Sequence, residues 1–309
     1  INLVAQSLGR STLGPGDEVL VTEMEHHSNL VPWQVICAER GARLRVLEID
    51  DNGELNIDQL EDVLGENTRI VALAHISNTL GTVNPVTHIT KAARRFGAKV
   101  VIDGAQAVSH CPVDVQSLGC DFYAFSAHKA YGPSGVGVLW GRLDLLEEIP
   151  PWQSGGDMVL SVDLDGATYN EVPHRFEAGT PNIVGVVGMG AALRWIREIG
   201  FGSIMKHEDV LLNTIEDRLG RLGAVRRIGT SSKIRSSVSF LLGDIHAHDV
   251  GTILDGEGIA VRAGHHCTQP VMDHFNVDAT VRVSVAIYNT VEEIDRLAAG
   301  LKHTEQVFG

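Results

Sequence analysis

Two apolar runs of this chain end in residues that can do chemistry together. Lys99-Val100-Val101-Ile102 closes on Asp103, with Gly104-Ala105-Gln106 behind it. Asp121-Phe122-Tyr123-Ala124-Phe125 closes on Ser126, with Ala127, His128 and Lys129 behind it. As strands of a parallel sheet, both runs would deliver these side chains past the carboxyl edge, where such sheets bind ligands. An aspartate and a lysine at neighbouring strand ends suit pyridoxal phosphate. The lysine carries the aldehyde as a Schiff base, and the aspartate keeps the pyridinium nitrogen protonated, so that the ring accepts electrons. Taken singly, Asp103 reads as a loop-capping acid and Lys129 as a surface amine. Their pairing, with Ser126 and His128 between, favours the cofactor.

A second cluster is Gly264-His265-His266-Cys267-Thr268-Gln269-Pro270. Cys37, Cys111 and Cys120 lie in apolar or strand contexts and read as small buried hydrophobes. Cys267, in a polar loop, does not. His26-His27 and His265-His266 could be read as zinc ligands. Neighbouring side chains of an extended segment diverge, however, and no Cys-x-x-Cys or His-x-x-x-His accompanies them, so no metal site is expected. His75, His88, His110, His207, His274 and His303 read as structural or solvated.

The elements that must position these residues follow from patterning. Strands are expected at 17–22, 43–49, 69–76, 99–103, 121–126 and 135–140, with helices at 29–41, 56–64 (Asn56 or the turn before it as cap) and 86–96. Strands separated by such helices imply a mainly parallel sheet covered on both faces. Residues 150–181 read as a long irregular segment of the kind that is usually functional. Helices are then expected at 184–199, 204–222, 248–257 and 291–303, with short strands at 237–242, 259–262 and 281–285. That second grammar fits a smaller α+β unit.

Composition bounds the reading. At 309 residues, 44 % hydrophobic and 21 % charged, the chain is globular and long enough for two domains. Twenty-five basic against 39 acidic residues leave a net charge of −14, which disfavours nucleic acid. No run is long enough for a membrane-spanning helix, and no signal peptide is visible. Four cysteines are too few for a disulfide scaffold, so free thiols and a cytoplasmic location are expected. The first residue is Ile1, and the opening reads as a helix already under way without a cap, which suggests sequence upstream.

With these residues in hand, the chain resembles the cysteine desulfurases of the class-V aminotransferase fold, over its whole length. The matching strings are Met24-Glu25-His26-His27-Ser28-Asn29, His75-Ile76-Ser77-Asn78, Asp103-Gly104-Ala105-Gln106, Ser126-Ala127-His128-Lys129, the run from Arg175 to Asn182, and Arg262-Ala263-Gly264-His265-His266-Cys267. The last narrows the resemblance to the SufS type. It implies an α/β, fold-type I pyridoxal phosphate-dependent transferase. Residues 1–198 would form the cofactor-binding domain, and 199–309 a small C-terminal α+β domain carrying the cysteine loop.

The resemblance also implies roles. Lys129 would hold the cofactor and move the substrate Cα proton. Asp103 would pair with the ring nitrogen and Gln106 with the ring oxygen. His26 would stack on the ring and assist proton transfer. Ser126 and His128 would bind the phosphate, helped by Thr180 from the other subunit of a homodimer. Asn78 and Arg282 would hold the substrate carboxylate, with Arg262 lining the same pocket. Cys267 would attack the sulfur of L-cysteine, giving alanine and a persulfide. Only a thiolate attacks, and His265, His266 and Arg262 are the expected sources of positive charge. A carrier protein of SufE or SufU type would take the sulfur for iron–sulfur cluster assembly. Residues 155–170 match a hairpin that reaches across the dimer.

The family's phosphate-gripping turn would precede Ile1, so weakened cofactor binding is expected of this chain. L-selenocysteine is the alternative substrate. A catalytically impaired fragment acting only as a dimerising or carrier-binding module is the alternative from another class. A zinc hydrolase and a plain aminotransferase fit less well, the latter because it has no use for Cys267.

Overall fold

The computed structural model describes residues 1–308. Its main sheet comprises β1 (Glu18–Thr22), β2 (Arg43–Leu47), β3 (Thr68–Ala74), β4 (Lys99–Asp103), β5 (Phe122–Ser126) and β6 (Gly137–Gly141), in the order β2-β1-β3-β4-β5-β6. All pairs are parallel except β5 with β6. Both faces are covered, and the strands show why. Leu20, Val71, Leu73, Val100, Ile102 and Tyr123 enter one core with helix Val86–Arg95. Val19, Val21, Ile70, Ala72, Val101 and Phe122 enter the other with helix His27–Arg40. Alternate side chains point to opposite faces, so strands buried on both faces read as continuous apolar runs.

A second sheet, β11 (Arg262–Gly264), β12 (Thr280–Ser284), β10 (Ser237–Leu242) and β9 (Val225–Ile228), is antiparallel throughout. Its core draws on Leu211 to Leu301, supplied by β10, β12 and helices Phe201–Gly220, Ala247–Gly256 and Val291–Phe308. The two sheets meet at the loop after β3. Val83 N–H donates to the Lys233 carbonyl at 2.8 Å, and Ser239 Oγ donates to the Thr79 carbonyl at 2.7 Å. Gly81 is needed at this junction. Its φ is +75°, and a Cβ would lie 2.3 Å from the Ser237 carbonyl oxygen. This seating brings β11, β12 and the Cys267 loop over the carboxyl edge of the main sheet.

Several elements depart from the sequence expectation. The expected helix 56–64 is a 3-10 turn (Ile57–Gln59) and one α turn (Leu60–Val63). Asn56 does not cap it, because its amide donates to the Ile49 carbonyl at 3.1 Å. The strand expected at 259–262 begins only at Arg262, since Ile259 N–H is tied to the Leu254 carbonyl at the preceding helix end. Within the segment 150–181, by contrast, the hairpin that the resemblance implies at 155–170 is present as β7 (Val159–Val162) and β8 (Ala167–Tyr169), turned on Asp163, which accepts the N–H groups of Asp165 and Gly166. Strand β9 has no counterpart in the patterning because its Val-Arg-Arg-Ile sequence lacks alternation. The opening residues Asn2–Thr12 are helical with a π turn at Ala5–Gly9, and Ile1 supplies no side-chain cap.

Candidate active site

In the main sheet the strand order reverses around β1 and β3, and the crevice beyond such a reversal is where open α/β sheets take ligands. A cavity of about 670 Å³ opens there. It is lined by His26 after β1, Asn78 after β3, Asp103 and Gln106 from β4 and its turn, and Ser126, His128 and Lys129 from β5 and its turn. Arg262, His266 and Arg282 close it from the second sheet. The structure therefore gathers nine of the eleven expected site residues around one cavity, with Cys267 next in the chain to the lining residue His266. Thr180 is exposed and does not line the cavity.

Asp103 is buried, and its Oδ1 accepts the Ala105 N–H at 2.9 Å, which fixes the carboxylate at the strand end. The next residue has to be glycine, since a Cβ at Gly104 would sit 2.0 Å from the Tyr123 ring. Lys129 follows β5 on a 3-10 turn (Ala127–Lys129). Burial depresses its amine pKa, opposed by Asp103 and reinforced by Arg282 and Arg262. An amine so placed loses its proton more readily and becomes nucleophilic. His26 caps helix His27–Arg40, with Nδ1 accepting the Ser28 N–H at 3.1 Å. Its Nε2 therefore carries the proton in the neutral ring, and burial first, then Lys129, holds its pKa low.

Beneath His26 lies Glu25, a residue of the quoted motif without an expected role. It is fully buried, with Oε1 accepting from Thr22 Oγ1 (2.6 Å) and Ala74 N–H (2.9 Å) and Oε2 from Asn29 Nδ2 (2.6 Å). It thus ties the ends of β1 and β3 to the start of the helix behind His26. A charged residue beside an apolar strand end was the available signal.

Arg282 donates through Nη1 to the Asn78 carbonyl at 2.7 Å, and its buried Nε has no partner. Burial, then Arg262, lowers its pKa to about 10. Asn78 spends its amide on the His266 carbonyl at 2.7 Å, so it also holds the cysteine loop. His266 is buried, its Nε2 on Thr280 Oγ1 at 2.8 Å and its Nδ1 unpartnered. Burial, then Arg282 and Arg262, pushes its pKa down to about 3. His266 is therefore neutral near pH 7 and is not the source of positive charge for Cys267 that the sequence suggested. The guanidinium within electrostatic reach of Cys267 is that of Arg282.

Cys267 is half-buried, within electrostatic reach of Lys129 and Arg282. His266 and Cys267 both hold left-handed backbone, φ +54° and +60°, a conformation that costs a non-glycine residue about 1–3 kcal/mol and persists where its surroundings enforce it. Thr79 and Thr268 hydroxyls bond to each other just behind it. Cys37 and Cys120 are buried as expected, whereas Cys111 is half-buried; burial pushes each of the three thiols up to about 11.

The cavity suits pyridoxal phosphate by its donor set. It has one lining carboxylate, Asp103, against the cations Lys129, Arg262 and Arg282, plus unpartnered buried nitrogens on Arg282 and His266. A group with a basic ring nitrogen, an aldehyde and an anion would satisfy them.

The class-V aminotransferase family profile matches residues 1–297. A cysteine desulfurase of Klebsiella pneumoniae subsp. pneumoniae is 48 % identical over all of this chain and 76 % of that protein. Among solved structures, the cysteine desulfurase CsdA of Escherichia coli superposes with a TM-score of 0.96 at 38 % identity, covering 99 % of this chain and 76 % of that one. The cystine lyase C-DES, in a variant with glycine covalently linked to its pyridoxal phosphate, gives 0.83 at 27 % identity over 97 % and 77 % of the two chains.

Proposed function

The chain belongs to the class-V aminotransferase family, and we propose that it is a pyridoxal phosphate-dependent cysteine desulfurase that converts L-cysteine to L-alanine and leaves a persulfide on Cys267. One observation carries this reading: Lys129, Asp103 and two arginines without carboxylate partners among the described residues converge on one cavity, and Cys267 stands beside it on a loop held in left-handed backbone.

Lys129 would hold the cofactor aldehyde, Asp103 its ring nitrogen, Gln106 its ring oxygen, His26 its ring face, and Ser126 and His128 its phosphate. When bound, the cofactor supplies an electron sink for the substrate Cα–H bond. Arg282, with Arg262 beside it, binds the substrate carboxylate, for which a guanidinium offers two parallel N–H donors. Lys129 Nζ, its pKa lowered by burial, takes the Cα proton and later returns one. His26 offers Nε2–H on the other wall. The Cys267 thiolate attacks the substrate sulfur. A sulfur–sulfur bond forms, the carbon–sulfur bond breaks, and its electron pair stays with the carbon, where a proton completes alanine.

The same reading makes the protein a cytoplasmic homodimer of the SufS type that passes sulfur to a SufE- or SufU-type carrier for iron–sulfur assembly. Two features support the dimer. Thr180 is exposed, where a second copy's cavity could receive it. The hairpin also carries Leu160, Val162 and Leu164 at 75, 66 and 105 % exposure.

The test is a visible spectrum after incubation with pyridoxal phosphate, then borohydride reduction and peptide mapping. The expected adduct is on Lys129. Addition of L-cysteine is expected to yield alanine and one extra sulfur on Cys267. An adduct elsewhere, or alanine formation undiminished in Cys267→Ala, would overturn the proposal.

A further inference from the structure

Two imidazoles bracket the Cys267 peptide, and each does so as an acceptor. His265 Nδ1 accepts the Cys267 N–H at 3.1 Å. His27 Nε2 accepts the Gln269 N–H at 3.2 Å, while the His27 backbone N–H donates to the Cys267 carbonyl at 2.8 Å. The rings lie 5.6 Å apart, tilted by 31°. An imidazole nitrogen accepts only when it is bare. The geometry thus fixes opposite tautomers, Nε2–H for His265 and Nδ1–H for His27.

These contacts meet the loop where its backbone is least favourable, at the left-handed pair His266 and Cys267. Asn78 holds the carbonyl of His266, and Thr79 holds Thr268, from one side. The two imidazoles hold the N–H groups of Cys267 and Gln269 from the other.

We propose that His265 and His27 are positioning residues for Cys267, a clamp of two acceptors that keeps the loop in its reactive shape only while both rings are neutral. The proposal rests on the reading of Cys267 as the sulfur-accepting nucleophile. The titratable groups that face the pair are His26 beside His27, His266 beside His265, the two rings themselves, and Cys267, whose N–H His265 accepts. Burial, then His265, lowers the His27 pKa.

The opposite tautomers give a test that generic damage would not mimic. An asparagine carboxamide oxygen falls near the position of Nδ1, and that of glutamine near Nε2. His265→Asn and His27→Gln keep the acceptors, whereas His265→Gln and His27→Asn carry the same groups misplaced. Hydrogen exchange at the Cys267 and Gln269 amides is read first, in the cofactor-loaded protein. The matched variants are expected to resemble the parent, and the mismatched ones to exchange at least about tenfold faster. In alanine formation the mismatched pair should lose kcat by about a hundredfold with KM little changed, as misplacement of a reacting group does. The matched double variant has no imidazole to protonate, so the acid limb of its kcat profile should move to lower pH. Equal exchange in all four variants would overturn the clamp. If exchange follows the matched pattern while Cys267→Ala still forms alanine, the clamp stands as architecture and the nucleophile reading fails.

Discussion

Arg262 and Arg282 stand directly opposite each other across the β11–β12 ladder. Neither forms a salt bridge among the described residues. Like charges so placed destabilise a sheet by about 0.2–1 kcal/mol, a cost that a bound carboxylate would offset. Arg262→Gln is therefore expected to stabilise the ligand-free protein by about 0.5 kcal/mol while raising the KM for L-cysteine by about tenfold. Arg282→Gln should raise KM and destabilise, because it also removes the 2.7 Å bond to the Asn78 carbonyl. Thermal melts of both variants beside their KM values check this. Melting shifts of the same sign would contradict it.

Gly104 and Tyr123 make a tighter constraint on the same edge. A Cβ at position 104 would meet the Tyr123 ring at 2.0 Å, and Tyr123 is itself held by its hydroxyl on His75 Nδ1 at 3.0 Å. Gly104→Ala should cost about 1–3 kcal/mol as overpacking and weaken cofactor binding, because it displaces the Asp103 end of β4. Tyr123→Phe removes only a hydrogen bond, about 0.5–1.5 kcal/mol, and should leave cofactor affinity unchanged. Denaturation and cofactor titration of the two variants separate these outcomes.

The main sheet was legible because strands buried on both faces spell continuous apolar runs, as in Arg69–Ile76, and because Asp103, Ser126 and Lys129 follow such runs directly. The second sheet was less so. Strand β9 carries two arginines in four residues, and the position of β11 is set by a tie between Ile259 and Leu254 that periodicity does not encode. Within the site, residue types announced Lys129, Asp103 and Cys267. What stayed hidden was which neighbours are spent on holding others. Asn78 works as much on the loop as on any ligand, and His266 is kept neutral by burial among arginines. Glu25 illustrates the limit, since its partners Thr22, Asn29 and Ala74 converge only through the sheet.

Two buried histidines set an acid limit to stability. Burial lowers His75 to about 4, and burial with Arg282 and Arg262 lowers His266 to about 3. The unfolded chain protonates both near 6.5 and the folded chain does not, so stability is full above 6.5 and is lost as pH falls below it. Each group is expected to cost about 2 kcal/mol at pH 5. His75→Asn, which keeps an acceptor near Nδ1 for Tyr123, and His266→Gln, which keeps a group near Nε2 for Thr280, should each flatten the profile between pH 7 and 5. Urea unfolding at the two pH values measures it, and unchanged slopes would refute the assignment.

Glu25 should act in the opposite direction. Burial pushes its pKa up to about 8, against hydrogen bonds from Thr22, Asn29 and the Ala74 N–H. Between about 4.5 and 8 the folded protein holds a proton here that the unfolded chain has released. This contribution therefore falls as pH rises through that window and is flat above it. Its slope approaches about 1.4 kcal/mol per pH unit. Glu25→Gln cannot titrate. Whatever constant cost the amide incurs beside Asn29 Nδ2, the difference in stability between parent and variant should shift in favour of the variant from pH 5 to pH 8. Because Glu25 joins the ends of β1 and β3 behind His26, the same variant should alter cofactor affinity more than it alters the KM for L-cysteine. Urea unfolding across this pH range, with cofactor titration at each point, tests both statements. A parent–variant difference independent of pH would show that Glu25 is ionised throughout.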